Sequence, residues 1–407
     1  MNLKNPYIVI VAIVMTACGT VSRLPEISDE QAKQEAEKQR EIVVEETHRL
    51  ENRLHRISYP IIRDNVKLCE KKGHRVGLRV AFTNDALNEF KEAFKRFHNL
   101  GEHSKIIDIQ PGSPGEQAEL QLGDEIVAVN GEPAPKEPKA AGWLKEKFFE
   151  PAKKGEALTL TVLRKGENVN LTIKPEKTCG YGINLVVDEL VNAFADGENV
   201  YITSGMMRFT NNDNELALIV GHELGHNTMN HVAKSQGNAI AGALIVGLLG
   251  AIVGVDLTQA GAQIGAAAFS QDFEAEADYV GVYYAARAGF NVSDVAKVWR
   301  RMAAANPASI HLAGTSHPSS AKRFLAIEKT WNEIREKKVA GLNLRPELEN
   351  PKAVSTDKPK ETVADPSEKT ADAKAAKDDN ANQTPNPLEG IWNWLKEQSK
   401  SEGASEQ

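Results

Sequence analysis

The sequence predicts an α+β chain with two folded parts, one mostly helical with a small edge sheet and one inserted and β-rich. Three patterns predict it. Leu216, Ile219, Val220 and Leu224 recur at helical spacing behind Asn211–Asn214, whose side chains suit an N-cap. Ile126/Ala128 and Val127/Val129 alternate as in a strand and end at the tight-turn pair Asn130-Gly131. Ala157–Arg164, Lys165-Gly166-Glu167 and Val169–Ile173 read as a closing hairpin. A chain of 407 residues, 41% of them hydrophobic, can build two cores with tails to spare. Its net charge of −7 offers no basic patch, which argues against nucleic acid as a partner. No internal repeat is evident.

Lys4 precedes a short apolar run, Tyr7–Val14, and then Met15-Thr16-Ala17-Cys18-Gly19. The run is too short for an ordinary transmembrane helix. Small residues before a cysteine resemble a bacterial lipoprotein signal. That resemblance makes residues 1–17 a removed signal and Cys18 a lipidated N-terminus anchoring the chain in a membrane. Met15 is a less usual residue at its position. Gly19 is not the aspartate associated with inner-membrane retention, so the resemblance implies an outer-membrane anchor facing the periplasm. Residues 18–55, rich in Glu, Lys, Arg and Gln, read as a charged helical tether. Ile57–Leu68 continues as a more apolar helix, and residues 56–94 are expected to open the helical part. Once Cys18 is taken by lipid, Cys69 and Cys179 remain, and an oxidising compartment favours their pairing as a disulfide. They bracket the insertion.

The run Lys105-Ile-Ile-Asp-Ile-Gln-Pro-Gly-Ser-Pro-Gly-Glu-Gln-Ala118-Glu-Leu-Gln-Leu-Gly123-Asp124-Glu-Ile-Val-Ala-Val-Asn130-Gly131 resembles a PDZ domain, taken as residues 95–178 and expected to be β-barrel-like. Glu119 stands where bacterial PDZ domains usually carry Gly. If that position needs a positive φ, Glu adds local strain. The resemblance implies capture of extended chains, such as C-terminal peptides, by strand addition with backbone N–H groups caging the carboxylate. Asn99-Leu100-Gly101 is a partial match to such a cage. A packing module with no peptide groove is the alternative.

Val200–Thr203, between Asp196-Gly197 and Ser204-Gly205, reads as a short strand. After it comes His222-Glu223-Leu224-Gly225-His226. Two histidines four apart lie one above the other on a helix face and can reach one ion, with Glu223 between them to take a proton from water. A catalytic zinc needs a third protein ligand and an open position. His231 lies five residues past His226, about 140° around the helix, and does not suit. Glu274 and Asp278 share a face four residues apart, while Glu276 points away. Glu274 is the third-ligand candidate, with Asp278 behind a ligand histidine as an acceptor.

His222–His226, then Glu274-x-x-x-Asp278, then His317-Pro318-x-x-x-x-Arg323 resembles the CAAX-prenyl-protease/HtpX-like family of gluzincin peptidases, with its periplasmic BepA-like branch nearest in kind. The motifs span about residues 180–340, and the domain is taken as 179–342. The resemblance implies one Zn2+ per chain on His222, His226 and Glu274, with Glu223 as base. It implies that His317 contacts substrate or the developing oxyanion, or caps the zinc at rest, with Arg323 placed to orient Asp278 or His317. In the family the strand at Val200–Thr203 edges the cleft, where substrate backbone can pair with it. Two functions fit: an endopeptidase acting on unfolded or misassembled envelope proteins, and a zinc-stabilised chaperone or assembly scaffold.

Residues 239–269 are rich in Ala and Gly. A single membrane crossing there would put His226 and Glu274 on opposite sides, so a small-residue helical hairpin beside the site is expected. Residues 343–407 read as a disordered tail with a short terminal apolar segment near Trp392 and Trp394.

Overall fold

Ser28 begins the first element. Its side chain accepts from the Gln31 backbone N–H while Gln31 reaches back, a capping box that opens one helix, Asp29–Asp64. The structure is a computed structural model that describes residues 25–86, 88–236, 269–294, 296–305 and 321–348. The first half of this helix is largely exposed, whereas Leu50, Leu54, Ile57, Ile61 and Ile62 are buried in the main core. The tether and the more apolar helix expected after it are therefore continuous, and the helix joins the core at Leu50, upstream of the boundary expected at 56. Asn65 fixes its end by donating to the carbonyls of Ile61 and Tyr284.

Two larger apolar cores divide the molecule. One gathers the long helix, Val200, Ile202, Leu216, Leu224, Val280 and Tyr284. The other gathers Ile106, Ile126, Leu144, Phe148, Leu160, Val162 and Ile173. The second core lies on a six-stranded sheet ordered Leu78–Ala81, Lys105–Ile109, Glu125–Val129, Leu158–Arg164, Glu167–Ile173, with Glu132–Pro133 beside Glu125–Val129. Adjacent strands that are paired run antiparallel. The two hairpins turn on Asn130-Gly131 and Lys165-Gly166, all four at positive φ as a two-residue twist-matched turn requires. Glu119 does take a left-handed φ of 61°.

Two expectations change here. The sheet is open among the described residues, because its end strands do not pair with each other. It also starts at Leu78–Ala81, so the boundary expected at 95 cuts through the span that builds it. Four residues after Gly77 are too few to show alternation in sequence.

The insertion leaves and re-enters through a narrow neck. Lys72–Arg75 pairs antiparallel with Glu176–Cys179. Cys69 and Cys179 are joined as a disulfide, with Cα atoms 5.5 Å apart. Beyond it a three-stranded sheet orders Ala193–Ala195, Asn199–Thr203, Gly182–Val186. The strand expected to edge the cleft is thus the middle strand, paired on both sides. Its alternating burial could not reveal whether an edge was free.

No described helix is long and apolar enough to cross a membrane. The expected signal and Cys18, the 239–268 stretch of the expected hairpin, His317 and the tail from 349 onward lie outside the described residues.

Candidate metal centre

Asn212 caps the helix Asp213–Thr228 by accepting from the Glu215 N–H at 3.1 Å. Glu215 returns to the Asn211 N–H at 2.8 Å and pairs with Arg301. From Leu216 to Thr228 every residue is buried, so neighbours surround the His222 face. The main neighbour is Gln271–Arg287, started by Ser270, whose hydroxyl accepts from the Phe273 N–H. The pairs Gly221/Gly281, Gly225/Ala277 and His226/Glu274 show the two helices running antiparallel.

Their closeness comes from missing side chains. A Cβ on Gly221 would stand 2.5 Å from the Gly281 carbonyl oxygen, and one on Gly281 would stand 2.7 Å from the His222 nitrogen. The backbones therefore touch, and that contact brings the short Glu274 side chain to both imidazoles.

His222, His226 and Glu274 are fully buried and offer donor atoms all within 4.8 Å of one another. His226 Nε2 lies 3.2 Å from His222 Nε2 and 3.3 Å from Glu274 Oε1. His222 Nε2 lies 3.5 Å from Glu274 Oε2. A tetrahedral zinc with bonds of ~2.0–2.1 Å sets its donors about 3.3 Å apart. The two imidazoles stand at that spacing, and each meets a different oxygen of the Glu274 carboxylate at a similar distance.

Charge gives a second test. Among the described residues, Glu223, Glu274 and Asp278 are buried with one guanidinium, Arg323, itself 5% exposed. Arg323 grips Asp278 through Nε and Nη2, at 2.7 and 2.9 Å, and reaches Glu274 Oε2 through Nη1 at 2.8 Å. Carboxylates gathered this closely out of water favour a bound divalent cation, because burying like charges together is costly. His222 responds to the same field. Burial opposes its charge, but Asp278 and Glu274 outweigh burial and raise its pKa to about 10. Its Nδ1 sits 2.9 Å from Asp278 Oδ1, which leaves Nε2 for the metal.

Glu223 is buried, and its charge is among those raising Arg323. The structure thus brings together His222, Glu223, His226, Glu274, Asp278 and Arg323. Sequence reasoning missed several neighbours. Trp299 lies 4.9 Å from the His222 ring, and Arg323 stands over its indole. Phe269 stacks on His226 at 4.0 Å. His231 is buried against His226, its Nδ1 3.0 Å from His226 Nδ1, and its Nε2 is 2.8 Å from Glu276. An angle of about 140° between His226 and His231 holds only for an unbroken helix. The helix ends at Thr228, and Asn230 at φ 55° turns the chain before a new helix starts at His231, whose ring lies against His226. Asn before a His was the available signal.

Asn99-Leu100-Gly101 lies elsewhere. Asn99 is the left-handed C-cap of Lys91–His98, and Leu100 packs on a small cluster with Phe90 and Phe94. A cavity of about 190 Å³ opens instead between Arg75–Leu78 and Phe149, Ala152 and Lys153, with His55 and Tyr59 of the long helix at its wall.

Residues 160–331 match peptidase family M48, and residues 105–147 match the PDZ domain. The chain carries an M48 peptidase domain. Within it lie His222, His226 and Glu274. The beta-barrel assembly-enhancing protease of Yersinia pestis is 37% identical over 121 residues, 26% of this chain and 25% of that protein. Metalloprotease LoiP of Escherichia coli is 28% identical over 181 residues, 42% of this chain and 69% of that protein. The chain thus spans about a quarter of the length of the assembly-enhancing protease. A PDZ domain of HtrA3 bound to a phage-derived ligand is 22% identical, covering 26% of this chain and 88% of that one, with a TM-score of 0.19.

Proposed function

We propose that this chain is a zinc metalloendopeptidase, anchored by lipid on Cys18 to the outer membrane and facing the periplasm, that cleaves unfolded or misassembled envelope proteins. The observation that carries the reading is the buried cluster of His222, His226 and Glu274, with the two imidazoles 3.2 Å apart and the Glu274 carboxylate 3.3 and 3.5 Å from them, and with Glu223 directly after His222. The names of the two bacterial relatives, an assembly-enhancing protease and a metalloprotease, support the chemistry and the envelope setting.

Zinc held there supplies Lewis acidity that acidifies water and polarises the scissile carbonyl. Glu223 accepts the proton of the attacking water and returns it to the leaving amine. Asp278 accepts from His222 Nδ1–H and holds that ring, while Arg323 holds Asp278 and Glu274 in place. His317 serves the developing oxyanion or caps the resting site. The PDZ part captures or gates substrate. The cavity beside the sheet's end strand, Leu78–Ala81, suits an added peptide strand better than the 99–101 loop does. The domain division 1–17, 18–55, 56–94, 95–178, 179–342 and 343–407 is proposed with its third and fourth parts redrawn so that Leu78–Ala81 joins the PDZ sheet.

The test is degradation of an unfolded model protein by the full chain, beside Glu223→Gln and with a chelator. We expect cleavage by wild type alone, lost with chelator, and a drop of about 10²-fold or more for the variant. Zinc bound with no cleavage under any condition would point to a scaffold.

A further inference from the structure

Each ligand imidazole has a second nitrogen, and what that nitrogen meets decides which tautomer faces the metal. His226 turns Nε2 toward His222 and Glu274, at 3.2 and 3.3 Å. To ligate there, Nε2 must keep its lone pair, so the ring proton sits on Nδ1. His226 Nδ1 lies 3.0 Å from His231 Nδ1. Two nitrogens at that distance share one hydrogen: His226 donates and His231 accepts. The proton of neutral His231 is then on Nε2, 2.8 Å from Glu276 Oε2, where a carboxylate accepts it. The row Glu276, His231, His226 thus has one self-consistent arrangement, and it presents a bare Nε2 to the metal position.

Resting on the metallopeptidase reading above, we propose that His231 and Glu276 are positioning residues that fix the tautomer and orientation of His226 and strengthen it as a ligand. Packing makes the row rigid. His231 is fully buried, and its ring stacks on Phe273 at 4.4 Å with 9° between planes. His226 is held between His231 and Phe269. The two zinc ligands are therefore backed unequally. His222 meets the buried Asp278 directly, and Arg323 grips that carboxylate. His226 meets its carboxylate through an intervening imidazole, and the Glu276 side chain is 40% exposed.

The experiment is zinc affinity of the full chain by competition with a chromophoric chelator, together with visible spectra of the cobalt form and unfolding of the metal-free protein. His231→Phe keeps the stacking and removes the acceptor. We expect zinc affinity to fall about 10–100-fold, the cobalt spectrum to shift, and metal-free unfolding to stay near wild type. Glu276→Ala should lose less, and Glu276→Gln, whose amide oxygen still accepts, should recover part of that loss. Wild-type affinity and cobalt spectrum in His231→Phe would overturn the relay while leaving the metallopeptidase reading intact. A wild-type chain that binds no zinc would overturn that reading instead. Should His231→Phe fail to fold, Glu276→Ala decides: reduced affinity supports the relay and unchanged affinity overturns it.

Discussion

Gly281→Ala tests the claim that the metal centre is set by how closely two helices approach. The new Cβ would lie 2.7 Å from the His222 nitrogen, 2.8 Å from the Gly221 carbonyl carbon and 2.9 Å from the His222 Cα. All three atoms are backbone, so no side chain can swing away. Relief to an ordinary contact of at least 3.4 Å parts the helices by about 0.7 Å. Metal–donor distances tolerate about 0.2 Å. Glu274 sits seven residues earlier on the helix that must move, so one corner of the donor triangle shifts by more than the ion accepts. Overpacking of this kind costs about 1–3 kcal/mol in the metal-free protein. We expect zinc affinity to fall by at least about tenfold, from the lost donor geometry. Chelator competition gives the affinity and urea unfolding gives the stability. Gly142→Ala is the control, because that helical glycine has nothing within 4 Å of its would-be Cβ, and it should be neutral or stabilising by up to ~1 kcal/mol. Wild-type zinc affinity in Gly281→Ala would refute the reasoning.

Three more outcomes follow from the same packing. Arg323→Gln leaves Glu274 and Asp278 buried without their guanidinium, so urea unfolding of the metal-free protein should show a loss of about 3–5 kcal/mol; a loss under ~1 kcal/mol would mean the cluster relaxes into water. Replacing Cys69 and Cys179 by Ala opens a loop with a sequence separation of 110 residues, and chain entropy sets the cost at about 4–5 kcal/mol, read by denaturant midpoint. Glu119→Gly removes a left-handed Glu that costs ~1–2 kcal/mol, part of which returns as glycine's greater unfolded freedom. It should raise the melting temperature by a few degrees.

The donor set was legible because periodicity carries it. His222/His226 and Glu274/Asp278 are each four apart, and a helix turns that spacing into one face. The turns at Asn130-Gly131 and Lys165-Gly166 were legible because few residues accept positive φ. Hidden features depend on relations between distant segments. Whether Asn199–Thr203 lies at an edge or in the middle depends on Ala193–Ala195 and Gly182–Val186, and its own residues read alike in either case. Trp299 reaches His222 from a helix that no motif marks. Glu276 does point away from the Glu274 and Asp278 face, and what it points at became visible only once Asn230 was seen to turn the chain.

The neck at Cys69–Cys179 has a consequence for how this chain can change over time. Everything between the two cysteines leaves and returns at points 5.5 Å apart, closed further by the ladder between Lys72–Arg75 and Glu176–Cys179. Loop closure costs only about 0.6 kcal/mol for each doubling of length. Seen from the metal centre, the insert is a bracketed clause: its length can grow, shrink or be rewritten while the sentence around it, from Cys179 to the glycine-paired helices, still parses.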